Sequence, residues 1–401
     1  MRVSRADRSR LSEWWFTVDH VLIVAIIILM SCGLVLSLAA SPAVAMKKSL
    51  PTFFFFERHV FFTAVGFCVM ITLSFLSPSW ARRIAVVLFA ATLAALIWIL
   101  FESPVINGAR RWLFVGGFSL QPSEFAKPGF IMVIAWLFAE ARRRPDMPAL
   151  SIAIALGAGV CLLLVMQPDV GQTGLLAALW GIMYLLAGLP LAGATILVGI
   201  GIVCVIVAYF TFPHVQDRLD RFLNASNEAN SQVSRATDSF TQGGFFGRGP
   251  GEGTIKTHFP DAHTDFIFSV IAEEYGAIAC LGLAALFAFI VLKALISATR
   301  EPRPANRIAI QGLAILFGLQ ALINMGVNVG LLPATGMTLP FISTGGSSIL
   351  AVSIVLGMLL ALTRRRVDPA NYETAAFPGA EPGWARDPLS ASTGRSDAQR
   401  Q

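Results

Sequence analysis

The chain has 401 residues, 55% of them hydrophobic and only 13% charged, with a formal net charge of +6. That charged share is about half the usual figure for a soluble domain. A soluble core could not hide so much apolar surface, so composition excludes an ordinary water-soluble enzyme and makes lipid the solvent. The basic residues sort by loop, so the charge calls for no nucleic acid. Cys32, Cys68, Cys161, Cys204 and Cys280 all fall in apolar runs and predict neither disulfides nor metal-ligand spacing.

Hydropathy predicts an all-α polytopic membrane protein of about ten transmembrane helices, at roughly 20–40, 59–77, 84–101, 123–140, 149–166, 171–189, 190–212, 265–293, 307–331 and 342–363. The organisation follows: a cytoplasmic segment 1–19, a membrane domain 20–363 and a tail 364–401. The first span follows Arg2, Arg5, Arg8 and Arg10 and precedes Ala43-Val44-Ala45, as a cleaved signal would. Its apolar run of about twenty residues is long for a signal peptide and predicts an uncleaved anchor. With the N-terminus cytoplasmic, the inner loops hold sixteen basic residues and the short outer loops five, Lys47, Lys48, Arg58, Arg110 and Arg111. This bias places both termini inside and the large 213–264 loop, between the seventh and eighth spans, on the periplasmic side. Pro, Gly, Ala and Ser with scattered charge predict a disordered tail.

The unusual sequence falls on the predicted outer face, where loops on a lipid-embedded scaffold build sites. Arg110 and Arg111 adjoin Trp112, which either sits at the interface or stacks on a sugar while the arginines hold phosphate. Glu124 and Lys127 stand three apart, as an internal ion pair or with Lys127 facing an outer cavity to bind an anion. Within the long loop, Val215, Leu219, Phe222 and Leu223, and more weakly Val233, Thr237 and Phe240, recur at helical spacing. They either lie on the outer leaflet or pack within the protein. The run Gly243–Gly251 lacks a strand and a Gly-Lys-Ser/Thr, so it is no nucleotide loop, though its amides could cradle pyrophosphate.

Asp265 sits where that loop enters an apolar helix. A carboxylate there is either a partly desolvated proton acceptor or, with Thr264, a helix cap, and both readings stand at this point. Glu273 and Glu274 lie deeper in the same span. Glu273 is about 12 Å along the helix from Asp265, beyond the reach of an acid/base pair, which favours a structural part. His258, Asp261, His263 and Asp265 lack the spacing of a metal site. Pro333, Pro340 and the stretch Ser343-Thr344-Gly345-Gly346-Ser347-Ser348 break the backbone at membrane depth, which is tolerated where it lines protein or water.

Together these motifs, GARRW at 108–112, QPSEFAK at 121–127, PDAHTDFIF at 260–268, AEEYG at 272–276 and LPATGMTLPFISTGGSS at 332–348, resemble the SEDS (shape, elongation, division and sporulation) family over about residues 20–363. Thr335–Pro340 is closer to its cell-division branch than to its elongation branch. The chain departs from the pattern at Thr344 and Ser119. The resemblance implies a multi-pass inner-membrane enzyme at the division septum that polymerises lipid II on the periplasmic face. It implies a class B penicillin-binding protein and other divisome membrane proteins as partners. It implies Asp265 as general base of an inverting transfer. Substrate contacts are then expected among Arg110, Arg111, Trp112, Glu124, Lys127, His263, Thr264, Ser343, Gly345, Gly346 and Ser347. No cofactor is required, although a divalent cation could assist the pyrophosphate. The rival readings are a lipid flippase, whose path Lys127, Glu273 and Glu274 would line, and a non-catalytic divisome scaffold.

Overall fold

The structure, a computed structural model, describes residues 9–47, 49–105, 109–211, 215–216, 220, 232–254 and 264–365. His263, most of the 213–264 loop and the tail beyond Arg365 lie outside the described residues. Ten long helices form the membrane domain: α2 His20–Lys47, α3 Phe54–Ser74, α4 Pro78–Glu102, α5 Pro122–Arg143, α6 Ala149–Met166, α7 Val170–Leu186, α8 Leu191–Thr211, α10 Ile267–Thr299, α11 Pro304–Asn328 and α12 Gly346–Thr363. Eight of them are long and apolar enough on their own to cross a membrane. The other two are α7, an apolar helix of 17 residues, and α5, whose charged residues mask a span buried over most of its length. Two shorter helices, α1 Arg10–Thr17 and α9 Gln232–Gly243, are also present among the described residues.

The core is built around α5, α11 and α12, whose side chains are buried on several faces, while α8 turns its length outward. Because lipid donates nothing to a helix end, the end groups find partners in neighbouring elements. Ser41 Oγ, on α2, accepts the Phe56 amide at the start of α3 at 3.1 Å. The first helix continues to Lys47 through Pro42, seven residues past its expected end.

The antiparallel strands β1 Leu113–Val115 and β2 Phe118–Leu120 form a hairpin between α4 and α5, with Phe118 edge-on to Phe62 of α3. The hairpin and the long 212–266 connection share one end of the bundle, the hairpin end. The connections after α3, α5, α7 and α10 share the other. Separately, α1 and residues 364–365 fall in a small unit of their own: Arg364 pairs with Glu13 at 3.1 Å and donates to Thr17 Oγ1, and the Arg365 amide donates to the Thr17 carbonyl.

The long α10 is broken at Gly276, where φ 79° and ψ 177° is a conformation open to glycine alone. An unbroken helix would bond the amides of Ala277 and Ile278 to the carbonyls of Glu273 and Glu274. Here a loop supplies all four missing partners. Ala277 donates to Gly244 O at 2.9 Å and Ile278 to Phe245 O at 3.3 Å, while Arg248 donates to Glu273 O at 2.9 Å and Gly249 to Glu274 O at 3.0 Å. The glycine run 243–251 is therefore a clasp on a helix break. Its amides at Arg248 and Gly249 are committed to protein carbonyls, which corrects the expectation of a pyrophosphate cradle. The preceding α9 lies against α10, with Ala236 and Ser239 buried and Phe240 stacked at 5.8 Å on Phe268, so this stretch packs on protein.

Candidate active site at the hairpin end of the bundle

Asp265 occupies the entry to α10, half-buried. Its backbone carbonyl accepts from Asn324 Nδ2 at 3.0 Å and Asn328 Nδ2 at 2.9 Å, both on α11. Its Oδ2 lies 3.7 Å from where a side chain on Gly336 would begin, so this glycine, at φ 73°, lets the 329–345 connection pass close to the carboxylate. The N-cap of α10 is Phe266, without a side-chain cap, and the first-turn amide of Ser269 donates to Asn328 Oδ1 at 3.0 Å. That amide is thus capped from the neighbouring helix, which answers much of the demand that the cap reading placed on Thr264 and Asp265.

A second polar centre lies on α5 and α7. Lys127 is 1% exposed and Glu124 3%. The Lys127 ammonium contacts Glu124 Oε2 at 2.7 Å and Gln172 Oε1 at 3.2 Å, while Gln172 donates to Glu124 Oε1 at 2.5 Å and Gln320 to Glu124 Oε2 at 3.4 Å. The internal ion pair is therefore the arrangement found, and Lys127 faces no open cavity here. Such closure is what a buried charge needs, since an unpaired one costs several kcal/mol.

Gln320, Asn324 and Asn328 join the two centres. They stand at i, i+4 and i+8 on one face of α11, about 12 Å from first to last. Sequence reasoning passed over them, although three amides at four-residue spacing in an apolar span is a legible signal. Asn324 also donates to Met337 O at 2.7 Å, so a single helix face fixes α5, the entry to α10 and the 329–345 connection.

The remaining expected residues divide. Ser343 Oγ accepts the Leu339 amide at 2.8 Å and donates to Thr264 O at 2.5 Å, tying the connection to the residue before Asp265. Gly346 packs against the Phe62 ring, Gly345 against Thr338, and Ser347 is buried beside Ser348, whose hydroxyl meets Thr338 Oγ1 at 2.6 Å. Arg110 donates to Leu100 O at 2.7 Å and so closes the C-terminus of α4. Arg111 pairs with Asp169 at 3.5 Å and donates to the Pro168 carbonyl. Burial raises the Asp169 carboxyl above its usual range, and the Arg111 guanidinium pulls it back. Trp112 stands half-buried beside them, its carbonyl accepting from Ser103 at 2.7 Å. Phe341, buried with φ 60°, is a strained residue in the same connection.

A buried ladder of amides on one helix thus holds the backbone at Asp265, a half-buried carboxylate at one end of a polytopic bundle. The family model described as "Cell cycle protein" (FtsW, RodA, SpoVE) matches residues 19–367. A relative from Caulobacter vibrioides (strain NA1000 / CB15N), named "Probable peptidoglycan glycosyltransferase FtsW", is 43% identical over 370 residues, 92% of this chain and 94% of its own. A relative of the same name from Trichlorobacter lovleyi is 35% identical, over 88% of this chain and 94% of its own. Among solved structures, a chain described under "Structural coordination of polymerization and crosslinking by a peptidoglycan synthase complex" superposes with TM-score 0.71 at 26% identity, covering 87% of this chain and 98% of that one. Rod shape determining protein RodA of Thermus thermophilus superposes with TM-score 0.63 at 27% identity, covering 87% and 97%. The chain belongs to this FtsW/RodA/SpoVE family, the SEDS proteins.

Proposed function

We propose that this protein is a peptidoglycan glycosyltransferase that polymerises lipid II on the periplasmic face of the inner membrane during septal wall synthesis. The observation that carries the reading is Asp265: a half-buried carboxylate at the hairpin end whose backbone is clamped by Asn324 and Asn328 and which lies close to Gly336. An α-linked pyrophosphate donor giving a β-linked product requires one inverting displacement. The acceptor hydroxyl oxygen attacks the donor's anomeric carbon and the bond to the lipid pyrophosphate breaks. The hydroxyl proton passes to Asp265, which general-base catalysis requires at hydrogen-bond distance. Trp112 offers a face to a sugar ring and Arg111 a guanidinium at the same end, while Glu124, Lys127, Ser343, Gly345, Gly346 and Ser347 hold the frame. His263 is the next candidate base. The names of the relatives and the polymerisation–crosslinking title of the superposed complex support a class B penicillin-binding protein as partner, beside other divisome membrane proteins.

The test uses the purified full chain with labelled lipid II, in detergent and in vesicles, with and without the partner transpeptidase. Glycan polymer is the expected product. Movement of lipid II across vesicles without polymer would make the protein a flippase, and neither product would leave a scaffold.

A further inference from the structure

A strongly basic hollow lies at the other end of the bundle. A cavity of about 550 Å³ opens where the start of α4, the end of α5 and the start of α11 meet. Its nearest lining residue on α5, Trp136, stands about 14 Å along the helix from Lys127 at 1.5 Å per residue, and no residue of the Asp265 site lines it. Five guanidiniums line it: Arg82, Arg142, Arg143, Arg303 and Arg307. Its one acidic lining residue, Glu140, is already paired with Arg144 at 2.9 Å. Arg142 is partly committed, donating to Ala187 O at 2.9 Å. The rest of the wall is apolar, with Trp136, Ala139 and Ile308.

Helix geometry points the same way. The first turn of α11, Pro304 to Asn306, forms part of the cavity wall, and its N-cap Arg303 makes no side-chain cap. A helix of 25 residues therefore presents its positive end to a hollow already ringed with arginines. Positive charge at an inner helix end is what orients a membrane protein. Orientation asks only that the charges lie on that side, however. It does not ask that five of them converge on one cavity at a helix N-terminus.

We propose that this cavity is a binding site for a phosphate-bearing anion with an apolar attachment, at the depth of a lipid headgroup. Planar guanidiniums suit phosphate oxygens two at a time, and Trp136 and Ile308 suit the apolar part. A leaflet phospholipid and a soluble phosphate ester share this chemistry, and two arms separate them. The full chain in detergent is titrated with phosphatidylglycerol, with phosphatidylcholine and with inorganic pyrophosphate, reading retained ligand by native mass spectrometry and the thermal transition. Phosphatidylglycerol is expected to be retained in preference to phosphatidylcholine and to raise the transition. Pyrophosphate competing with it places both phosphates in the same hollow, and pyrophosphate retained by the parent but lost in the cavity variant, with no lipid preference, identifies a soluble source. Arg82→Gln/Arg307→Gln should weaken retention by about tenfold or more. Arg83→Gln/Arg300→Gln removes the same charge from the same end but outside the cavity, and should change retention by about twofold at most. Equal losses from the two pairs would reduce the effect to general surface charge and overturn the site. So would a wild-type protein that prefers neither phosphatidylglycerol nor pyrophosphate, a result that depends on no variant's folding.

Discussion

Asn328 does the work that sequence alone offers to Asp265. Its side chain takes the amide of Ser269 through Oδ1 and holds the Asp265 carbonyl through Nδ2. Asn328→Ala is therefore expected to cost about 1–3 kcal/mol through the lost cap on the Ser269 amide and the loss of one of the two bonds to the Asp265 carbonyl, which keeps Asn324. Polymerisation should fall further than protein level, because the backbone that aims Asp265 is released. Equal falls in both, measured on purified protein, would make Asn328 purely structural. Lys127 is a contrasting case. With Glu124 wholly enclosed, Lys127→Met leaves a buried carboxylate and should destabilise by about 3–5 kcal/mol. Adding Glu124→Gln should recover much of that, since the two are coupled. A thermal transition unmoved in Lys127→Met, with activity lost, would instead make Lys127 an anion-binding residue. The acids and the lysine were readable as chemistry in the sequence because each is rare at membrane depth. The amides of α11 show their spacing in the sequence but not their purpose, which appears only once distant partners such as Glu124 and the Asp265 carbonyl are in place.

α10 reads in sequence as one apolar run, and only the structure shows its two parts. Composition could not reveal the break at Gly276, because the four backbone groups freed by its two lost helix bonds are satisfied by the separate segment 244–249. The glycine count of that segment was visible and suggested a phosphate loop, while its actual role depends on α10's broken carbonyls. Gly276→Ala drives a methyl carbon into the Phe245 carbonyl oxygen in a conformation glycine alone tolerates. The expected cost is about 1–3 kcal/mol from backbone strain alone, read as a lowered thermal transition and reduced abundance in the membrane. An alanine variant as stable as the parent would mean that the clasp is not closed in the lipid-embedded protein. Glu273 belongs to the same clasp. Its carboxylate accepts the Thr254 amide at 2.6 Å, in keeping with the structural part its distance from Asp265 implied.

The bundle was the most legible feature, since ten apolar runs leave few alternatives. The boundaries shifted where polar residues open or close a helix: α3 begins five residues early at Phe54, and α12 begins four residues late because 342–345 belongs to the connection that reaches Thr264. Sidedness rests on the sorting of basic residues. A reporter fused after Gln242 should be active in the periplasm, and activity confined to the cytoplasm would invert the molecule and displace the site with it. Removing the residues after Asp368 should leave polymerisation by the purified protein intact. The most direct measurement is the rate at which purified Asp265→Asn polymerises labelled lipid II beside the parent protein, each with its partner transpeptidase. Asparagine preserves shape and cannot take a proton at neutral pH. The expected result is an unchanged thermal transition, retained partner binding and polymerisation lower by about 10²–10⁴-fold. Polymer formed at close to the parental rate would contradict it, and would move the general base away from Asp265.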